Sequence, residues 1–517
     1  MLDSSAPHGT TANSLAHAFR RQVVRNRTKV AVVEYDASGT RRSITYQVLD
    51  NLSDRVARYL VSQEVGSGEV VAAMSSNRLE AIVAYYGCLK AGATFTGINP
   101  AFTDRDLDYM IGHAAPSVVF ADQKNAGRAA STDGVNVVDF DDATLFRMET
   151  VPDEEDPFEI VATENDAAMI VYTSGTESRP KGVVVHHRNF LIATTPSWLV
   201  DDYVNSSDVF LLLAPFYTMA GIGTVTNLMS IGATVVVIER VKADVALNVI
   251  ERERVTNLSQ TPTFFAQMAA AESLATTDLR SLRHCHTYGG PIPKTVVERF
   301  SEHAPHIVWA TYWGQSELSQ LGAVGLFKSL EDIPGGDLRW IGKPMSAVEV
   351  KVIDEEGEPA EVGELLCRGP AVMSGYYKDE DQTAATIVDG WLKTGDIVGI
   401  DEDSNIFFFD RKKDVIKTGG MNVSSLEVEN VLKSHPDVQD AAVVGISDEY
   451  WAEAVTAFVV PVSPDVFDRE GVLDMCRKEM TAYKVPKSIV VLDELPTDGQ
   501  GKVVKRKLRE GWKAQPA

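Results

Sequence analysis

Thirty consecutive residues, Val209 to Ile238, carry no charged side chain. A stretch of that length can cross a bilayer, so its reading decides what the chain can become. Pro215, Gly221, Gly223 and Gly232 interrupt it at the spacing of breaks between shorter elements. Val209–Leu213 and Thr234–Ile238 read as fully buried strands with a helix between them, which predicts a layered interior rather than a membrane span. The same alternation comes earlier. Val70–Met74 and Ala93–Ile98 read as strands around a helix over Arg78–Ala91, and Ala168–Tyr172 reads as a further strand. Repeated strand–helix–strand units predict α/β layers with largely parallel sheets. Ala91-Gly92-Ala93-Thr94 is echoed at Ile231-Gly232-Ala233-Thr234, a hint of two related α/β halves. Past the α/β region, Gly-Pro turns within Gly363–Gly375 mark a shift to β-rich structure.

Charge divides the chain again. Asp and Glu number 73 against 49 Lys and Arg, a net of −24, and such a field repels nucleic acid and anionic membranes. Residues 411–517 hold 16 basic and 17 acidic side chains, so almost all of the excess lies in the first 410 residues. A nearly neutral C-terminal module therefore follows an acidic body. Its end, Lys502 to Lys513, has six basic residues and one acid, which reads either as a solvated helix end or as a lid that touches a polyphosphate. Cys88, Cys285, Cys367 and Cys476 stand far apart with no C-x-x-C pair. That pattern points to a reducing compartment, the cytoplasm, and away from a disulfide framework or zinc ribbon. Met1–Thr11 has no apolar stretch of the kind a secretory signal needs, and Arg20-Arg21 leads into further charge rather than an apolar segment.

The segment Tyr172-Thr173-Ser174-Gly175-Thr176-Glu177-Ser178-Arg179-Pro180-Lys181-Gly182 directly follows a buried strand. Its hydroxyls, backbone N–H groups and lysine suit it to surround phosphate oxygens. It is not a Walker loop, because Pro180 stands where the second glycine would be. After it come Pro215-Phe216-Tyr217-Thr218, Tyr288-Gly289-Gly290-Pro291, Trp313-Gly314-Gln315-Ser316-Glu317, Trp391-Leu392-Lys393-Thr394-Gly395-Asp396, Asp410-Arg411-Lys412-Lys413-Asp414 and Gly501-Lys502. In content and order this series resembles the adenylate-forming (ANL) superfamily, of the acyl-CoA ligase type, over residues 15 to 510.

The resemblance implies a fold and a reaction. The fold would be α/β: a large N-terminal body, residues 1–409, of two layered α/β subdomains plus a small β-rich one, then a mobile α+β lid, residues 410–517, hinged at Asp410. The reaction would be ATP-dependent, with Mg2+ and coenzyme A, and would pass through an acyl-adenylate to the CoA thioester of a small-molecule carboxylic acid. Thr173, Ser174, Gly175, Thr176 and Lys181 match the loop that holds the β- and γ-phosphates, with Glu177 inside it. Gly289, Gly290 and Pro291 match a turn against adenine, and Trp313, in place of a tyrosine, offers an aromatic face beside Ser316. Glu317, with Thr176, matches the magnesium site, where a hard oxygen donor suits the ion. Asp396 and Arg411 match the ribose contacts. Lys502 matches the lysine that bridges α-phosphate and substrate carboxylate. Lys417, Gly419 and Gly420 match the loop lining the pantetheine tunnel. The acyl pocket would be built from Tyr217, Thr218, Met219, Gly221, Tyr288, Gly289 and Gly314, and its small residues predict a roomy, apolar site for a bulky or medium-chain acid.

The sequence departs from the family pattern in three of these segments. Glu177 and Ser178 replace a threonine and a glycine in the phosphate loop, Thr218 replaces a histidine, and Ser316 replaces a threonine. A carboxylate beside a triphosphate costs Coulomb energy, so one alternative is an enzyme that only converts a preformed acyl-adenylate supplied by a partner ligase. Another alternative is loading of a separate carrier protein. A serine acyl-transferase can be assembled from Ser178-x-x-Lys181, Tyr203-x-Asn205 and Lys393-Thr394-Gly395, but K-T-G recurs at Lys417, which shows how little it specifies. Gly221-x-Gly223 lacks the third glycine of a dinucleotide fingerprint, since Thr226 stands there. His284-Cys285-His286 puts two histidines on one strand face with no further ligand near in sequence, so it reads as a core strand end.

Overall fold

The computed structural model describes residues 13–130, 135–141, 144–147, 156–173, 180–448, 450–497 and 503–513. Ser174, Gly175, Thr176, Glu177, Ser178 and Lys502 lie outside the described residues. The chain divides into two compact units, Met1–Glu349 with Cys367–Leu392, and Val350–Leu366 with Lys393–Ala517.

The uncharged stretch forms two strands, Val209–Leu212 and Thr234–Ile238, paired in parallel around the helix Met219–Ile231. Thr218 starts that helix by accepting the Gly221 N–H at 3.2 Å, which satisfies one of the donors a helix N-terminus leaves open. Gly232, in the left-handed region at φ 85°, stops it. Among the described residues no helix is long and apolar enough to cross a membrane.

The four-residue echo is a structural one. The helix Leu79–Ala91 also stops at a left-handed glycine, Gly92 at φ 80°, and the strand Thr94–Ile98 follows. In both turns the residue after the glycine donates back into the helix, Ala93 to the Cys88 carbonyl at 3.1 Å and Ala233 to the Leu228 carbonyl at 3.0 Å. All thirteen residues of Leu79–Ala91 are buried. Tyr85 on this helix shares a 2.8 Å hydrogen bond with Thr226 on Met219–Ile231, so the matching helices of the two halves touch.

Two sheets organise the first unit. A seven-stranded sheet runs Gly375–Tyr376, Lys181–His186, Ala167–Thr173, Thr94–Ile98, Val70–Met74, Val118–Ala121, Asn136–Asp139. A nine-stranded sheet runs Lys343–Pro344, Ala323–Phe327, Val308–Trp313, His284–Tyr288, Asn257–Gln260, Val209–Leu212, Thr234–Ile238, Val30–Tyr35, Arg41–Thr45. The central strands of both run parallel. Val70–Met74, Val118–Ala121, Val209–Leu212 and Thr234–Ile238 are apolar, as burial on two faces requires, whereas Asn257–Gln260 and His284–Tyr288 carry polar side chains.

The second unit holds the antiparallel pair formed by Lys393–Ile400, within the strand Trp391–Ile400, and Ile406–Arg411. It also holds a sheet of Met421–Val423, Ile416–Thr418, Ala452–Pro461 and Val438–Asp448, with Ser488–Val491 added in parallel on Ala452–Pro461. Val428, Leu432, Val472 and Cys476 from the helices Ser425–Lys433 and Arg469–Glu479 pack with Val443 and Val455 of that sheet. Leu508 and Trp512 of the basic helix Lys505–Lys513 pack with Ala442, Val444 and Phe458. Lys505 and Arg509 pair with Glu429 and Asp414 at 2.7 and 2.9 Å, so part of this helix's charge is matched within its own unit.

One buried ion cluster braces the first unit. Lys90 is fully buried and reaches Asp50 and Asp54 at 2.6 Å each, while Arg20 binds the same two carboxylates at 2.9 and 2.6 Å. Two cations against two anions leave no net buried charge, and removing one member strands a carboxylate in the interior. Lys90→Met is expected to lower stability by about 3–5 kcal/mol, measured as an earlier guanidinium unfolding transition; a transition unchanged from the parent would show that the cluster contributes nothing.

Candidate active site

The strands Val209–Leu212, Asn257–Gln260, His284–Tyr288 and Val308–Trp313 are mutually parallel, so the segments leaving their C-terminal ends open from one edge. After Val209–Leu212 the chain returns to the sheet on one side of that strand, while Asn257–Gln260 flanks it on the other. Such a switch in strand order leaves a crevice at the carboxyl edge. Pro215–Thr218, Tyr288–Pro291 and Trp313–Glu317 all start there.

The sequence places Thr173 and Lys181 at the two ends of the phosphate loop, and the fold pairs them directly. Thr173 and Lys181 are partners in the antiparallel register of Ala167–Thr173 with Lys181–His186. On the other side of Lys181–His186 lies the short strand Gly375–Tyr376. This addition brings Tyr376 beside both Lys181 and Glu317. The Lys181 ammonium sits 5.5 Å from the Tyr376 ring centroid, and the Tyr376 hydroxyl donates to Glu317 Oε1 at 2.9 Å. Burial first, then the Glu317 charge and hydrogen bond, push the phenol well above its ordinary pKa, so it stays a donor. Sequence reasoning missed Tyr376. The signal available was its place after Gly375 in the Gly-Pro segment, but its partners stand 195 and 59 residues away.

Glu317 is presented by a short turn, Ser316–Leu318, held through its own carbonyl by the Met373 N–H at 2.8 Å. One carboxylate oxygen takes the tyrosine hydroxyl, and a carboxylate has capacity left for a hard cation. The donor type fits magnesium. Trp313 is the last residue of its strand and only 7% exposed; its ring packs on Gly322, where an added Cβ would come within 2.5 Å of the indole. Gly289, at φ 83°, has open space around it, and the nearest atom to a Cβ on Gly290 would be 4.0 Å away.

The acyl-pocket glycines correct the argument from small size. A Cβ on Gly221 would lie 2.1 Å from the Pro215 carbonyl oxygen, and one on Gly314 would lie 2.0 Å from that of Gln320. At Gly223 the Gln320 side-chain oxygen stands 3.0 Å away. These glycines permit backbone approach; they do not leave room. Thr218 spends its hydroxyl on the Pro215 carbonyl at 2.7 Å as well as on the helix cap. Tyr217 is half-buried against Gly97, and Met219 is 6% exposed. Asn77, which the sequence did not single out, fixes this segment by donating to the Ala214 carbonyl at 3.0 Å and accepting the Phe216 N–H at 2.8 Å.

In the second unit, Asp396 and Arg411 are cross-strand partners with Asp396 Oδ1 3.3 Å from Arg411 Nε. Asp396 is 2% exposed. Gly419 and Gly420, at φ 56° and 79°, form a two-residue hairpin turn between Ile416–Thr418 and Met421–Val423. That turn demands positive φ twice, so its glycines are required by the chain whatever binds there. Lys417 points outward and pairs with Glu355 at 3.1 Å. Asp410 lies inside the strand Ile406–Arg411 and is nearly buried. Its Oδ2 accepts the Ser425 N–H at 2.5 Å and the Ser425 hydroxyl at 2.7 Å, at the start of the helix Ser425–Lys433. A residue held this way anchors strand to helix.

Comparison with known proteins places this arrangement. The family profile described as AMP-binding enzyme matches residues 19–377, and the AMP-binding enzyme C-terminal domain matches residues 427–502. The chain is 29% identical over 483 residues to the 2-succinylbenzoate–CoA ligase of Bacillus licheniformis, covering 93% of this chain and 96% of that one. It is 30% identical over 472 residues to the feruloyl-CoA synthase of an Amycolatopsis species, covering 90% and 94%. Among solved structures it resembles the ATP-bound MatB of Rhodopseudomonas palustris, with a TM-score of 0.85, 27% identity and coverage of 96% of this chain and 99% of that one.

Asp410→Ala removes the acceptor at the start of the helix Ser425–Lys433. The expected cost is about 1–2 kcal/mol, seen as a lower melting temperature. A variant that melts with the parent would show that the carboxylate is no anchor.

Proposed function

Because this chain belongs to the AMP-binding enzyme family, and is an AMP-forming acid–thiol ligase that uses ATP, Mg2+ and coenzyme A, we propose that its substrate is a bulky or medium-chain carboxylic acid. The acid's oxygen attacks the α-phosphorus of ATP as the bond to pyrophosphate breaks. The CoA sulfur then attacks the acyl carbonyl, loses its proton, and AMP leaves.

The observation that carries the assignment of roles is the line Lys181–Tyr376–Glu317. Lys181 supplies fixed positive charge at the base of the phosphate loop, and such charge stabilises a developing polyanion without reorganising. Tyr376 keeps Glu317 oriented by its hydrogen bond and keeps Lys181 over its ring. Magnesium, when bound at Glu317, would neutralise phosphate charge and polarise the phosphoryl oxygens. Gly289 and Gly290 give a nucleobase close access to backbone, and Asp396 with Arg411 offers an acceptor and a donor to ribose hydroxyls. The resemblance assigns Lys502 to the α-phosphate and the acid, and Lys417, Gly419 and Gly420 to the pantetheine. The relatives named for 2-succinylbenzoate and ferulate act on aromatic acids, which supports a bulky substrate.

We place the lid at residues 410–517 and its bend in the turn that follows Asp410. The Asp414 and Val415 N–H groups return to the Arg411 carbonyl at 2.8 and 3.0 Å there, and a turn absorbs backbone rotation more readily than a paired strand residue. All four cysteines are buried and none forms a disulfide, which supports a cytoplasmic setting.

With a panel of acids, ATP and CoA, acyl-CoA and AMP should form in equal amounts, with aromatic or medium-chain acids turned over faster than acetate. Preference for acetate would overturn the substrate class. Tyr376→Phe keeps the ring and removes the donor to a charged acceptor; a bond of that kind contributes about 1.5–3 kcal/mol. Acid-dependent ATP–pyrophosphate exchange should therefore fall about tenfold or more, while CoA consumption with a synthetic acyl-adenylate falls less. Equal loss in both assays would remove Tyr376 from the adenylation machinery.

A further inference from the structure

His284 and His286 share one face of the strand His284–Tyr288, and the fold brings them a third group that sequence spacing hides. Asp202, just beyond the helix Thr195–Val200, lies against both. One ligand atom from each of Asp202, His284 and His286 stands within 4.8 Å of the other two. Asp202 and His286 are completely buried, and His284 is half-buried. The buried pair keep one polar atom each without a hydrogen-bond partner, Asp202 Oδ1 and His286 Nε2. Buried polar atoms are rarely left this way unless something else occupies them.

Their remaining atoms are fixed in a way that prepares the open ones. The Tyr312 hydroxyl donates to Asp202 Oδ2 and lies 2.7 Å from His286 Nδ1. With its proton given to the carboxylate, the tyrosine oxygen accepts from Nδ1–H, so the lone pair of His286 is on Nε2. That is the tautomer a metal ion needs, with the other ring nitrogen oriented by an outer partner. The neighbouring carboxylate, Asp208, is already taken by Arg283 and by the Thr256 hydroxyl at 2.7 Å.

We propose that Asp202, His284 and His286 form a binding site for one divalent transition-metal ion of the zinc type, separate from the magnesium site at Glu317. Two imidazoles and a carboxylate are a donor set suited to zinc, with the half-exposed His284 side left for water as a fourth ligand. Asp202 Oδ2 and His286 Nδ1 stand 3.4 Å apart on the Tyr312 side, so an ion would take the open atoms, Asp202 Oδ1 and His286 Nε2. The ion would act structurally. It would tie the strand His284–Tyr288 to Asp202 beyond the helix Thr195–Val200, and Tyr312 of the neighbouring strand is held to that centre by its hydrogen bond to Asp202.

The test uses the full chain, stripped with chelator and re-equilibrated with Zn2+ or Co2+ in excess Mg2+, so that the acidic surface is already occupied. Elemental analysis after buffer exchange should find about one zinc per chain. Cobalt should give the visible absorption of a low-symmetry nitrogen–oxygen site, and zinc should raise the melting temperature. His284→Ala, chosen because it is not fully buried, should weaken zinc binding at least about tenfold and abolish the cobalt spectrum while the metal-free variant keeps the parent's circular dichroism. Should that variant not fold, the parent's stoichiometry and cobalt spectrum decide the matter alone. Absence of stoichiometric zinc in the parent, or undiminished binding in a folded His284→Ala, would overturn the proposal.

Discussion

Gly314 touches the carbonyl oxygen of Gln320 so closely that any side chain at 314 would sit 2.0 Å from it. That approach folds the chain after the strand Val308–Trp313 back on itself, and the Gly322 N–H closes the loop on the Trp313 carbonyl at 2.9 Å. Ser319 and Gln320 accept positive φ, 51° and 108°, to complete it. Such values are uncommon outside glycine, and surrounding bonds hold them. The Ser319 hydroxyl reaches the Ala371 carbonyl at 2.7 Å, and Thr194 bonds the Ser319 carbonyl at 3.1 Å. The Glu317 carboxylate owes its direction to this knot, and through Glu317 so does the Tyr376 contact. Overpacking of this kind costs about 1–3 kcal/mol in general; here the greater loss would be aim.

Much of the fold was legible because its signals are local. An uncharged run broken by Pro215, Gly221 and Gly232 can satisfy its backbone in few ways besides strand, helix and strand, and both helix-ending glycines follow from the αL requirement at a helix end. What the sequence could not carry was partnership across the chain. Tyr376 meets Lys181 only because a two-residue strand joins the sheet edge beside it. Asp202 meets His286 only once a helix has been laid against a strand eighty residues on.

The glycines show a subtler limit. A small residue looks the same in sequence whether it opens space or invites a neighbour into it. Gly289 does the first, while Gly221 and Gly314 do the second. Gly419 and Gly420 belong to a third kind, dictated by turn geometry alone. Asp410, which the resemblance makes a hinge, commits Oδ2 to Ser425 while Oδ1 accepts the Arg411 N–H at 2.7 Å.

The four buried thiols have a consequence for anyone who wants to watch this enzyme move. Burial pushes the Cys88, Cys285 and Cys476 thiols up from the ordinary range, so the reactive thiolate is scarce at neutral pH, and none of the four side chains meets solvent. The native chain is therefore silent toward maleimides and iodoacetamides while it stays folded. A cysteine introduced at an exposed position such as Tyr450 in the second unit, 82% exposed, would be the one reactive thiol against that quiet background. Fluorophores or spin labels could be attached there without first replacing the wild-type cysteines, and the slow appearance of extra label would itself report on unfolding.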